Sequence, residues 1–330
     1  MTNTNGIEIT FIPYGQRLVS LKLPDKDNGM VDIVLGYSTI GEYMDHPSSY
    51  YGAFIGRYAN RIAKGQFRLD GVRCQLSING ANHHLHGGDL GFHNKTWEVK
   101  AASGNTLIFR GISPDGEQGY PGTVEVEIRY ELNDLNELHI NYWARPDKAT
   151  HINFTHHSFF NLKGHGNGNI EDHILQINAD AYTPIDRNLI PTGSIQAVRD
   201  TPMDFTRPKP IGDDIDAMDD QLLFGKGYDH NFVLQKSTMT KGILPMAASV
   251  LEPRSGRKLE LYTDEPGLQF YSGNFLDGSR GKSGKTYSFR GAFCLEPQHF
   301  PDSPNQPSFP STLFKAGEVY TSSTMFKFIY

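Results

Sequence analysis

The chain has 330 residues, 38% of them hydrophobic and 12% aromatic, enough to bury a sizeable core and to set disorder aside. A formal net charge of -6, with no like-charge run beyond short acidic pairs, excludes the footprint of a nucleic-acid binder or of a protein docking on an anionic membrane. No window approaches the roughly 18 apolar residues of a spanning helix, and the opening MTNTNGIEITFIPYG lacks the basic start and long apolar stretch of a leader.

In chain order, residues 7–12 (IEITFI), 17–24 (RLVSLKLP) and 31–36 (VDIVLG) are short, apolar, partly alternating runs that predict strands. Residues 38–44 (STIGEYM) predict a short peripheral helix. Asp70-Gly71, between QFRL and VRCQLSI, predicts a two-residue type I′ hairpin. Further strands are predicted over 106–111, 123–132, 137–146 and 230–234, a second peripheral helix over 210–223, and a strand over 291–295 (GAFCL) that places Glu296 at its mouth. The 34 glycines and 19 prolines are scattered among these runs rather than gathered into a linker, which predicts one domain over 1–330. The fold class is all-β: a large antiparallel sandwich or barrel with few short helices and long loops that carry function. Two cysteines, Cys74 and Cys294, are too few for a disulfide framework and predict free thiols in a reducing, cytoplasmic compartment; a secreted or periplasmic setting stays open for a trimmed N-terminus.

Several polar groups stand out against this apolar background. Histidines cluster as His83, His84, His86 and as His151, His156, His157. Zinc is one reading, with His84 and His86 on one face of a strand and a third imidazole from the second cluster, but the spacing matches no standard zinc signature. Hydrogen-bonded, partly buried rings are the plainer reading, and the glycines of LHGG suit the close approach of a ligand to backbone. Arg57 and Arg61 are either surface ion-pair partners or forks for carboxylates and sugar oxygens. Asp229 caps a turn or serves a site, and Gln269 is an amide in a run of aromatics that requires partners if buried. Aromatics beside amides, carboxylates and imidazoles suit a carbohydrate, which offers a C–H face for stacking and a rim of hydroxyls. Glu296, followed by four prolines in 297–307, is either salt-bridged scaffolding or a working acid or base.

Taken in order, GRYANRIAKGQFRLDG, NHHLHGG, DGEQGYPG, HHSFFNLKG, YTPIDRNLIPTG, YDHNFVL, LQFYSGNFLDG and FCLEPQHFPDSPNQPSFP strongly resemble the aldose 1-epimerase family, the galactose mutarotases. The match runs from about Tyr14 to the C-terminus. The resemblance implies a galactose mutarotase-like supersandwich with a sugar cleft on one sheet, no metal and no cofactor. It implies interconversion of the α and β anomers of free hexoses such as D-galactose and D-glucose, with Glu296 as base and His157 as acid. Arg61, His86 and Asp229 match family positions that line the sugar pocket, and Gln269 matches one often near the sugar. Asp229 is expected to favour the imidazolium form of His157. His156 departs from a family in which many members carry asparagine there. The implied partner is a small-molecule aldose, with no nucleic acid and no membrane, and the chain is a monomer or homodimer. Alternatives at this stage are a non-catalytic carbohydrate-binding protein of the same fold, a hexose-6-phosphate epimerase, and a glycoside hydrolase using Glu296 and Asp229.

Overall fold

Strict alternation in the middle of the chain builds the larger of the two main sheets. Along Val124–Leu132, Val124, Val126, Ile128, Tyr130 and Leu132 are buried, while the charged residues between them lie on the outer face, because the pleat sends successive side chains to opposite sides. In the computed structural model, which describes residues 1–26, 29–235 and 244–330, this strand pairs antiparallel with Thr106–Ser113 and with Glu137–Pro146. Glu137–Pro146 in turn pairs with Tyr320–Ile329, inside a nine-stranded sheet.

The second sheet runs Gln196–Ala197, Ala179–Thr183, Asp229–Leu234, Gly267–Tyr271, Cys294–Gln298 in spatial order. Its Phe232, Leu268, Phe270 and Leu295 share one apolar cluster with Val126, Ile128 and Phe328 of the larger sheet. Full burial of each such side chain contributes about 1.5–3 kcal/mol relative to exposure, so the two inner faces hold the sandwich together. The opposite face of the five-stranded sheet is polar. Asn231 lies opposite Gln269, and Gln269 opposite Glu296; directly paired residues share a face, and Asp229, two residues from Asn231, shares it too.

The predicted all-β fold with two short helices is observed, with strands at Glu8–Ile12, Arg17–Pro24, Thr106–Ser113, Val124–Leu132, Glu137–Pro146 and Asp229–Leu234. The Asp70-Gly71 hairpin also forms, with φ of 49° and 80° at its two central residues. Three expectations shift. The strand predicted over 31–36 is laddered only at Met30–Asp32, because the Asp32 carboxylate accepts from the N–H groups of Leu21 and Val34. The helix predicted over 210–223 is confined to Asp220–Gly225, capped by Asp219. Upstream, Asp214 and Asp216 are drawn to Lys209 and Arg290, each at 2.6 Å. The first helix, Ile40–Asp45, starts as expected, on a Thr39–Glu42 capping box.

The third shift matters most. Of residues 291–295 only Cys294 and Leu295 join the strand; Phe293 instead exchanges backbone hydrogen bonds with Phe160 at 2.8 and 2.9 Å. The strand is Cys294–Gln298, so Glu296 sits at its centre rather than at its mouth. Pro297 is tolerated there because this is an edge strand of its sheet.

Candidate active site

Strand alternation settles which of the paired imidazoles can work. Thr155–His157 pairs with Ala53–Ile55. His156 turns into the core, edge-on to Phe11 and Tyr130 at 6.2 and 5.9 Å between centroids. His157 therefore turns the other way, over the polar face of the five-stranded sheet, where its Nε2 lies 3.5 Å from Glu296 Oε1. Both are buried, and Glu296 Oε2 has no partner.

The remaining predicted residues arrive from three other strands and, for His86, from the turn after a fourth. Arg61 opens the Arg61–Ala63 strand, which pairs with His83–Leu85, and its Nη2 donates to Asp229 Oδ2 at 3.1 Å. Gln269 Nε2 donates to Asp229 Oδ1 at 2.6 Å. His86 follows its strand in a left-handed conformation, φ 50°, and accepts at Nδ1 from the backbone N–H of Asn60 at 3.2 Å. That bond fixes the ring as the Nε2–H tautomer, a donor aimed into the cleft.

His86, His157 and Glu296 bring one ligand atom each within 4.8 Å of one another. The donor set does not suit a cation, because Nε2–H of His86 would have to be stripped of its proton first. The zinc reading with His84 and His86 on one face fails for a simpler reason: His86 lies beyond the strand. His84 is taken up by Ser77 O at 2.7 Å and Tyr120 OH at 2.8 Å. Arg57 is neither a surface ion-pair partner nor a site residue; it is buried and donates to Ser113, Pro121 and Gly122. His151 is bonded to Thr312. The LHGG glycines do not admit a ligand either: a Cβ on Gly87 would fall on the Gly56 carbonyl, and one on Gly88 on Gln118 and Ser77.

Above the predicted residues opens a cavity of about 470 Å³, lined also by Tyr37, Tyr50, Tyr51, Asn60, Phe159, Tyr271 and Phe275. Asn60, Phe159, Tyr271 and Phe275 lie inside the very motifs that point to the site, where one residue per motif drew attention. Tyr50 lies in none of them, and local sequence offers no signal for it. Its ring stacks on His157 at 5.7 Å and 20°, and Phe159 stacks on His157 at 4.8 Å and 16°.

This dry setting governs protonation. Burial, reinforced by the Asp229 charge, pushes the Glu296 carboxyl well above the ordinary carboxylate range. Burial pushes His157 down to about 3, although Asp229 opposes the shift, and burial likewise holds His86 well below its usual value. The expected influence of Asp229 on His157 is thus right in sign and outweighed in size. Burial thus favours the uncharged form of both groups.

The chain is similar over nearly its whole length to known proteins. The family model described as Aldose 1-epimerase matches residues 1–327. A galactose mutarotase of Sus scrofa is 44% identical over 327 residues, covering 98% of this chain and 92% of its own. The aldose 1-epimerase of Escherichia coli K12 is 37% identical, covering 100% and 94%. The crystal structure of a GalM/aldose epimerase homologue from C. elegans superposes with a TM-score of 0.92 at 30% identity, over 100% of this chain and 98% of that one.

Proposed function

The chain belongs to the aldose 1-epimerase family, a family of carbohydrate epimerases, and from that premise we propose that Glu296 and His157 carry the proton transfers that interconvert the anomers of a free aldose. The observation that carries this reading is the 3.5 Å approach of His157 Nε2 to Glu296 Oε1, on the floor of a sugar-sized cleft.

Ring opening requires the O1 proton to leave while a proton reaches the ring oxygen. Glu296 takes the O1 proton, the C1–O5 bond breaks, and His157 gives its proton to O5, leaving an aldehyde. The pair thereby passes from carboxylate and imidazolium to carboxylic acid and imidazole, with one proton on the pair throughout. After the carbonyl rotates, the same atoms run the steps in reverse. Burial favours the uncharged pair, so a proton passes from Glu296 to His157 across their 3.5 Å contact before ring opening, and the uncharged pair is restored as the open chain forms. His86 Nε2–H and Arg61 supply donors for hydroxyls, which is orientation rather than bond making.

The lining speaks for a neutral sugar, D-galactose or D-glucose among them. Asp45, Asp229, Asp277 and Glu296 face the cavity against one guanidinium, Arg61, already paired with Asp229. A hexose 6-phosphate needs spare cations. A glycoside hydrolase needs a second free carboxylate, and both oxygens of Asp229 are engaged. We also read residues 1–330 as one domain, a reading supported by an apolar cluster with members from Ile7 to Phe328. The buried free thiol of Cys294 suits a cytoplasmic setting.

The test is polarimetric. Freshly dissolved α-D-galactose or α-D-glucose should reach its final rotation faster with the protein, and Glu296→Gln should remove roughly 10²–10⁴-fold of the rate. A folded Glu296→Gln protein with near-native rate would sink the assignment.

A further inference from the structure

A catalytic imidazole is usually aimed by a hydrogen bond to its second nitrogen. His157 takes none from another residue: its Nδ1 is buried and unpartnered, with its own main chain alongside. Its ring is held instead between two nearly parallel aromatic rings, Tyr50 and Phe159. Phe159 is two residues along the same backbone. Tyr50 belongs to a loop, and something must fix that loop.

Arg17 does so. Its guanidinium is fully buried, and Nη1 donates to the carbonyls of Ser49 and Tyr51 at 2.8 and 3.0 Å, the residues on either side of Tyr50. Nη2 donates to the carbonyl of His93 at 3.2 Å, whose ring packs against Tyr50 at 4.9 Å. All three acceptors are main-chain carbonyls, and the arginine's other contacts are the faces of Tyr43 and Tyr14. The next residue in the loop, Gly52, donates its N–H to the carbonyl of His157 at 3.0 Å, so the clamped segment is tied directly to the catalytic strand. A buried guanidinium without a carboxylate is a costly way to fix a loop, and it is placed where it brackets one aromatic residue.

We propose that Arg17 and Tyr50 are positioning residues for His157: Arg17 clamps the loop on both sides of Tyr50, and the Tyr50 ring replaces the missing orienting hydrogen bond. This inference rests on the assignment of His157 as the acid. It differs from a contact with substrate, which would show in KM, and from scaffolding alone, which would show only in stability.

The experiment compares kcat and KM for α-D-galactose mutarotation in Tyr50→Leu, Arg17→Met, their combination, Tyr50→Phe and His157→Asn, each checked for a native unfolding transition. Tyr50→Leu should lower kcat by about 10²-fold with a much smaller change in KM, the scale of a misaimed catalytic group. Tyr50→Phe, which keeps the ring, should recover most of that loss. The double variant should be no slower than the slower single variant, because both act through one ring. If Arg17→Met does not fold, the two Tyr50 variants decide alone. A folded Tyr50→Leu protein with near-native kcat, or with its loss confined to KM, overturns the proposal while a slow His157→Asn leaves the acid assignment standing. A near-native His157→Asn overturns that assignment instead.

Discussion

Asp229 shows how one side chain can set the protonation of two others through its charge. Its two oxygens are spent on Arg61 and Gln269, so its contribution to the pair is its charge. A negative charge favours the protonated form of any neighbour, and it raises Glu296 while resisting the lowering of His157. Asp229→Asn removes that charge and leaves the Arg61 cation uncompensated, and both changes act in the same direction. Each apparent pKa of the coupled pair should then fall, carrying both limbs of the kcat/KM profile toward lower pH. Limbs that stay in place or rise would show that Asp229 does not act electrostatically on the pair. The same variant breaks a buried ion pair, so a loss of about 3–5 kcal/mol in urea unfolding is expected alongside.

At the scale of elements, glycine placement separates tight junctions from permissive ones. Gly71 in the hairpin and Gly87 after His86 both have positive φ, 80° and 82°. A Cβ on Gly71 meets nothing within 4 Å, whereas one on Gly87 would fall on the Gly56 carbonyl. Gly71→Ala should therefore cost only the left-handed penalty of about 1–2 kcal/mol, while Gly87→Ala should cost distinctly more and displace His86 from the cleft. Equal urea midpoints for the two would refute this account of LHGG. The contrast also marks what sequence can show. The Asp70-Gly71 turn is legible because its cause is local, and so is the alternation of Val124–Leu132. Residue chemistry left Arg61, His86, His157, Asp229, Gln269 and Glu296 open between plain and functional roles, the family resemblance pointed to a site, and the fold brings these six residues into one neighbourhood. What local pattern could not show depends on distant partners. Phe293 leaves its predicted strand for Phe160, the reason Glu296 is central in its strand, and Tyr50 becomes part of the site only because Arg17 bonds the carbonyls beside it.

Over the whole molecule, the dryness that displaces Glu296 and His157 is a general property, and it makes the fold sensitive to acid. Burial holds His84, His151, His156, His173 and His230 at about 4 and His93 at about 3, against about 6.5 for an imidazole in an unfolded chain. A folded value below the unfolded one means that, between the two, the unfolded chain binds protons the native protein refuses. Stability is therefore complete above about pH 6.5 and falls as pH drops through that window. His299, raised by its 2.6 Å contact with Glu265, and the carboxyls of Glu296, Asp264 and Asp302, raised by burial, act in the opposite direction. Each of the six costs about 1.4 kcal/mol per pH unit once the unfolded chain is protonated, so together they remove on the order of 8 kcal/mol per unit. A domain's whole stability is about 5–15 kcal/mol, so acid unfolding should fall one to two units below pH 6.5, steeply and with uptake of several protons. Urea midpoints at a series of pH values, followed by intrinsic fluorescence, would check this. A protein as stable at pH 4.5 as at pH 7 would show that these imidazoles reach water or find charged partners in solution. The same result would remove the reason for holding the Glu296 carboxyl above the ordinary carboxylate range, because both conclusions rest on a cleft and core that exclude water.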